Sequence, residues 1–369
     1  MLFRARRVLG RTGFVCAVFL ITRALAIGAT HAGAALMTPE KVAQWKWTPD
    51  WNLTPGKPPN AFFAPLVRWD ANFYVSLTRD GYPPQHDSPN HHLVFFPLYP
   101  LLLRAMSIDV FCAAFLLSNA CTLAAALLIV RLGALRKPAD GLRAAVFFLA
   151  SPGAHFFTYP YSEALFAAAL AAALLALRSE KFLAAGLAGA AASATRSPGV
   201  AAAVALFAQA ATSVRTSVRV RAILAGLLAL GGIGAFMVWC HVAQGDALAF
   251  VHLQAFHKRK LSLLGPLRAF LAFDCDPDYY LISIVSLYAA ARMIRRTPAW
   301  LWASAAFLVL LPMSTGTLQA MIRYQSANVP LVCGVPGLAR GRWFWRLTLA
   351  CLVLMLFEAF LYGKGIGHY

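Results

Sequence analysis

Residues 98–130 read LYPLLLRAMSIDVFCAAFLLSNACTLAAALLIV, and from Val110 to Val130 no residue is charged. A run that long and that apolar crosses a bilayer as a helix, because about 30 Å of hydrocarbon at 1.5 Å per residue takes about 20 residues. Working outward from it, hydropathy predicts about eleven spans: roughly 14–36, 98–130, 143–161, 162–178, 181–195, 198–212, 221–242, 279–294, 299–313, 324–339 and 345–362. The segments 181–195 and 198–212 are too short to cross upright. They read as a re-entrant or tilted hairpin turned by Arg196-Ser197-Pro198-Gly199. At the N-terminus, Arg4, Arg6 and Arg7 precede an apolar stretch from Phe14 to Leu36, and Ala32-Gly33-Ala34 imitates a signal-peptidase site. The stretch is long enough to span and more spans follow, so an uncleaved first helix is the preferred reading.

Composition fits one membrane body. The chain is 60% hydrophobic and 13% charged, against about 25% charged residues in soluble domains. Its net charge of +19 would suit a nucleic-acid binder, but the basic residues lie in short clusters between apolar segments rather than on one soluble face. Those clusters follow the positive-inside rule. With the N-terminus cytosolic, the inside segments collect Arg131, Arg136, Lys137, Arg143, Arg178, Lys181, Arg215, Arg219, Arg221, Arg292, Arg295 and Arg296, besides both terminal groups. Of the acidic residues only Asp140 and Glu180 fall inside, while Asp70, Glu163 and Asp246 fall outside. The expected fold is all-α and polytopic, a single integral membrane domain over 1–369. Its two long extracytoplasmic loops are 37–97 and 243–278, the first with interfacial helices. No internal or inverted repeat is visible, which argues against many transporter folds.

The seven cysteines (16, 112, 121, 240, 275, 333, 351) show no CxxC pair, and all but Cys275 lie in apolar segments, so they read as buried small hydrophobes. Asp274-Cys275-Asp276 has a DxD spacing, but a metal-held nucleotide sugar is not expected outside the cytosol, so no metal is assigned. Lys258-Arg259-Lys260 reads as a solvated cluster, with a lipid-phosphate contact as the alternative.

Within the first outer loop, Trp69, Phe73 and Leu77 recur at i, i+4 and i+8, which predicts a helix with one apolar stripe lying on the membrane surface and presenting Asp70 there. Gly81 and Pro83-Pro84 stop it. Asp70 is either a solvated surface carboxylate or a base for an acceptor hydroxyl. His91 and His92 are adjacent, not at helical ligand spacing, so hydrogen bonding is their default. The stretch Ser151–Glu163 brings His155 and Glu163 to the outer boundary. A carboxylate at the edge of hydrocarbon is costly and calls for a partner, for which Arg196 is the natural candidate. Arg196 and Arg323 are equally suited to an anion or to snorkelling toward headgroups.

Several of these segments together resemble the GPI mannosyltransferase 2 (PIG-V) family: Trp69-Asp70, Tyr74, Gly81-Tyr82; Phe96-Pro97-Leu98-Tyr99-Pro100; Tyr161-Ser162-Glu163; Thr195-Arg196-Ser197-Pro198-Gly199; Gly245-Asp246 with Ala249-Phe250 and Gln254; and Arg323-Tyr324 with Pro330. The resemblance implies a GT-C type glycosyltransferase that takes a hexose, mannose being expected, from a polyprenyl-phosphate-linked donor outside the cytosol. It implies Asp70 as the catalytic carboxylate, with Trp69, Tyr74, His92, Glu163, Arg196, Gln254, Arg323 and Tyr324 around the substrates, and no cofactor. Phe73 stands where the family commonly has histidine. The 25 arginines against 8 lysines point to a bacterial inner membrane, and so away from a GPI acceptor. A lipid or glycan acceptor is expected, and an accessory membrane subunit stays open. The rivals are a transporter or flippase for a lipid-linked sugar and a non-catalytic membrane scaffold.

Overall fold

The computed structural model describes residues 2–38, 40, 59–83, 91–257, 259–272 and 275–366. Pro84, Lys258 and Asp274, each part of a motif above, lie outside the described residues, as do the side chains of His91 and the first nine residues. Among the described residues the regular structure is helical. In chain order the helices are α1 (Leu2–Ala35), α2 (Asp70–Asp80), α3 (Leu98–Ala105), α4 (Val110–Leu132), α5 (Pro138–Leu149), α6 (Glu163–Arg178), α7 (Phe182–Thr195), α8 (Ala201–Thr212), α9 (Thr216–Ala229), α10 (Gly231–Gln244), α11 (Gly265–Leu271), α12 (Pro277–Met293), α13 (Ala299–Met313), α14 (Met321–Ser326), α15 (Val329–Leu338) and α16 (Arg342–Gly363).

Among the described residues four helical stretches are long and apolar enough to cross a membrane: Gly10–Ala35, Val110–Leu132, Thr216–Gln244 and Arg342–Gly363. The other predicted spans are shorter or broken, for local reasons that hydropathy averages away. The stretch 98–130 breaks where Ser107 takes φ +54 and Asp109 caps α4, its carboxylate accepting from the Phe111 and Cys112 N–H groups at 3.1 Å. The stretch 143–161 is α-helical only to Leu149 and then irregular but for a 3₁₀ turn at Ala154–Phe157. The stretch 324–339 breaks at Asn328, whose side chain caps α15 by accepting from the Leu331 N–H at 3.1 Å. The expected hairpin is present as α7 and α8, joined by a 3₁₀ turn at Ser197–Val200.

Irregular backbone inside an apolar body needs every carbonyl satisfied. The stretch after α5 meets this through Arg23, a buried cation midway along α1. Its guanidinium donates to the Leu149 carbonyl at 2.9 Å, to the Thr158 hydroxyl at 3.1 Å and to the Ala154 carbonyl. A lone arginine within an apolar run was the sequence signal for this role.

α1 packs along α16, α4 on α5 and α6, α6 on α7, and α7 on α9 and α10, while α15 lies on α5. The basic ends are drawn together: Arg178 at the end of α6 donates to the Arg131, Leu132 and Ala134 carbonyls at 2.7, 2.8 and 2.9 Å, closing the C-terminus of α4. The opposite ends carry the candidate site. The stripe of α2 packs on protein rather than on headgroups. Phe73 stacks on Phe95 at 4.7 Å, and Tyr74 and Leu77 bury with Tyr99 and Leu103. The stripe finds this partner because α3 folds back under α2, burying aromatic area that a surface helix would leave exposed.

Candidate functional site

Asp70 is the first residue of α2, where a helix N-terminus favours negative charge. The turn that puts it there is strained: Trp69 takes φ +48 and ψ −122, a region that residues with a Cβ rarely occupy. The neighbouring backbone is clamped to hold it. The Arg68 N–H donates to the Tyr362 hydroxyl at 3.1 Å, the Arg68 carbonyl accepts from the Tyr161 hydroxyl at 3.1 Å, and the Trp69 ring meets that of Tyr362 at 4.8 Å.

Two close backbone approaches bring up the other charges. A Cβ on Gly153 would lie 2.7 Å from the Ile322 carbonyl oxygen and 3.0 Å from the Arg323 Cα, so only glycine lets α14 press against the 151–158 turn. The Gly153 N–H donates to Ser326 Oγ at 2.8 Å there. A Cβ on Gly199 would lie 2.2 Å from the Ala192 carbonyl, so the α7–α8 turn closes tightly and leaves Arg196 pointing at α6.

The result is a ring of charges. Asp70 Oδ2 accepts from Arg323 Nη1 at 2.6 Å, and Arg323 Nε lies 3.2 Å from Glu163 Oε1. Glu163 also pairs with Arg196, whose Nη1 donates to Ser162 Oγ at 3.3 Å. Ser162 and Tyr74 share a hydrogen bond of 2.6 Å. Tyr74 stands one helical turn after Asp70, so the path returns to α2. Glu163 is 1% exposed and Arg323 5%, whereas Asp70, at 25%, is the most exposed member of the ring. Arg323 also lies over the rings of Phe156, Tyr161 and Tyr324 at 5.7, 5.5 and 5.4 Å.

Tyr324 gathers cations: Arg196 lies over its ring at 5.6 Å, and Arg259 Nη1 donates to its hydroxyl at 3.0 Å. Arg259, read in the sequence as part of a solvated cluster with a lipid-phosphate contact as the alternative, joins the cluster through this bond. Among the described residues the arginines at the cluster are thus Arg196, Arg259 and Arg323, against the carboxylates Asp70 and Glu163, one positive charge in excess.

The remaining expected residues sit at the margin. His92 is buried, with Nε2 3.4 Å from Ser76 Oγ and its ring against Phe73. Gln254 joins through its carbonyl, which accepts the Arg259 N–H at 3.0 Å. His155 is fully buried, with Nδ1 3.1 Å from the Pro152 carbonyl. Asp246 is engaged elsewhere. Hydrogen bonds from His252 at 2.7 Å and from the Leu248 N–H at 2.9 Å hold its carboxyl below the usual carboxylate range. Among the described residues no group of three His, Cys, Asp or Glu could hold a metal ion.

Residues 57–217 match the family model described as Mannosyltransferase (PIG-V), a range that includes Asp70, Tyr74, Glu163 and Arg196 but ends before Arg259, Arg323 and Tyr324. Comparison with curated proteins finds no match.

Proposed function

We propose, from the match of residues 57–217 to the family model described as Mannosyltransferase (PIG-V), that the chain is a glycosyltransferase of that family and moves a hexose, mannose in the first instance, from a polyprenyl-phosphate donor to an acceptor hydroxyl outside the cytosol. Asp70 removes the acceptor proton, and the acceptor oxygen attacks the anomeric carbon. The bond from that carbon to the phosphate oxygen breaks, with its electron pair going to the phosphate. A single displacement inverts the configuration.

The observation that supports this most is the surplus positive charge of the described ring beside the partly exposed Asp70 carboxylate. A sugar phosphodiester brings one negative charge, and the departing lipid phosphate gains more as the bond breaks. Arg196, Arg259 and Arg323 meet that charge in a partly dehydrated place, where fixed cations are worth most. Glu163 holds two of these arginines in position before any ligand arrives.

Helix lengths support a lipid-borne donor. α6, α7 and α15 have 16, 14 and 10 residues, or about 24, 21 and 15 Å at 1.5 Å per residue. With their basic ends at the cytosolic headgroups, their other ends stop below the far surface of a hydrocarbon core of about 30 Å. The ring then lies within the outer leaflet, at the depth a polyprenyl phosphate can reach and a soluble nucleotide sugar cannot.

In this reading, transfer requires a lipid-linked sugar and persists in chelator. Turnover with a nucleotide sugar alone, or loss of turnover in chelator, would contradict it. Arg259→Ala and Arg196→Ala are each expected to raise the KM for the donor and to lower kcat. A phosphate contact is made in the ground state and strengthens in the transition state, so both constants should move. An unchanged donor KM in either variant would remove that arginine from the phosphate site.

Orientation is tested in a cysteine-free background. Ala61→Cys should react with a membrane-impermeant thiol reagent in intact cells, and Lys137→Cys should not. The reverse labelling would put the ring on the cytosolic side and end the lipid-donor argument.

A further inference from the structure

The segment that follows Arg259 presents leucines outward. Leu263 is 100% exposed, and Leu261, Leu264, Leu267 and Leu271 are 58% to 64% exposed. A loop in water shows large apolar side chains singly, not crowded together like this. Leu264, Leu267 and Leu271 recur at i, i+3 and i+7, so α11 and the residue before it carry them on one face. Ala269, on the opposite face of α11, is fully buried against the protein.

The depth of the segment is set by α13. The Lys260 N–H donates to the Thr315 carbonyl at 3.1 Å, and the Ser262 N–H to the Ser314 carbonyl at 2.8 Å. A Cβ on Gly265 would lie 2.1 Å from the Ser314 carbonyl oxygen, so only glycine lets the segment press on the end of α13. α13 starts shortly after the basic cluster Arg292, Arg295 and Arg296 and has 15 residues. At 1.5 Å per residue it rises at most about 22 Å from the headgroups there, so it ends inside a hydrocarbon core of about 30 Å. Irregular backbone at that depth needs its polar groups paired. The Leu264 and Gly265 N–H groups are indeed taken, by Ser262 Oγ at 3.2 Å and the Ser262 carbonyl at 2.9 Å.

Two further observations say what covers the leucines. The next helix, α12, exposes Leu281, Ile284 and Tyr288, again at i, i+3 and i+7, so the chain passes from one outward apolar face to another. The charged residues of 259–272 are Arg259, Lys260 and Arg268, all of the sign that anionic headgroups attract. Arg268, at the edge of the leucine face, is long enough to snorkel to those headgroups. We propose that residues 261–271 lie in the membrane leaflet at the ring's end of the molecule, with the leucines among the acyl chains and Arg268 reaching the phosphates. The segment is then a re-entrant part of its loop rather than a solvated connector. This rests neither on the transfer reaction nor on which side of the membrane the ring faces.

The test is fluorescence of the full chain in vesicles of phosphatidylcholine and phosphatidylglycerol. In the cysteine-free background, Leu264→Cys and Leu267→Cys are each labelled with nitrobenzoxadiazole, and Ala61→Cys is the aqueous reference. Both leucines are more than half exposed, so neither change removes a contact that folding needs. Both labels should emit at shorter wavelength than the reference, lose quenching by iodide and be quenched by nitroxide carried on the acyl chains. Iodide quenching equal to the reference would show a solvated loop and overturn the proposal. Protection from both quenchers would show that protein, such as a second copy of this chain, covers the leucines, and would overturn it as well.

Discussion

Asp70→Asn should lower turnover by about 10²–10⁴-fold, the usual contribution of a positioned general base. Asparagine is nearly the same size and keeps an acceptor oxygen for Arg323, and Arg323 retains Glu163 as its charged partner. Folding and donor binding are therefore expected to survive. Asp80, the exposed last residue of the same helix, is the control: Asp80→Asn should stay near wild type. Near-normal turnover of Asp70→Asn in a well-folded preparation would remove Asp70 as the base. Asp246 is no ready replacement, since His252 already occupies it.

Glu163→Gln should be the most destabilising single change in the ring. Glu163 is buried and serves two arginines at once, so removing its charge leaves Arg196 with no carboxylate and Arg323 with one. Breaking one side of a buried ion pair costs about 3–5 kcal/mol. By contrast, Glu180 pairs with Arg215 at the surface, with both side chains at least half exposed. Glu180→Gln should cost at most about 1 kcal/mol. Unfolding in detergent, followed by circular dichroism, compares the two directly. Equal small losses would mean that Glu163 is not the keystone of a dehydrated charge network.

The residues at this ring were largely visible in the sequence because ionisable groups beside apolar runs are expensive and stand out. Glu163 drew attention on that ground, Arg196 as its partner, Arg196 and Arg323 as anion holders, and Asp70 as the carboxylate carried by the Trp69–Phe73–Leu77 stripe. Their pairing was not visible. Arg196 was the natural partner for Glu163, but the second bond of Glu163 goes to Arg323, 160 positions away, and depends on the close approach at Gly153. Arg259 was marked only as one of a basic run, where a solvated cluster and a lipid-phosphate contact were both open, and its bond to Tyr324 is visible only in the fold. The helix breaks at Ser107–Asp109 and at Asn328 escaped hydropathy because a window of 18 or more residues averages over a three-residue turn. The α2 stripe was legible as a stripe. Its partner could not be read, because an apolar face looks the same whether it meets lipid or the Phe95–Leu103 surface.

Transfer itself tests the central claim most directly. Purified protein in lipid is incubated with labelled polyprenyl-phosphate mannose and a membrane extract as the source of acceptor, and the anomeric configuration of any labelled product is determined. The account predicts label moved to a lipid or glycan product with the configuration opposite to the donor's, formed about 10²–10⁴-fold more slowly by Asp70→Asn. Label that stays on the donor, or a product that retains the donor's configuration, would contradict it.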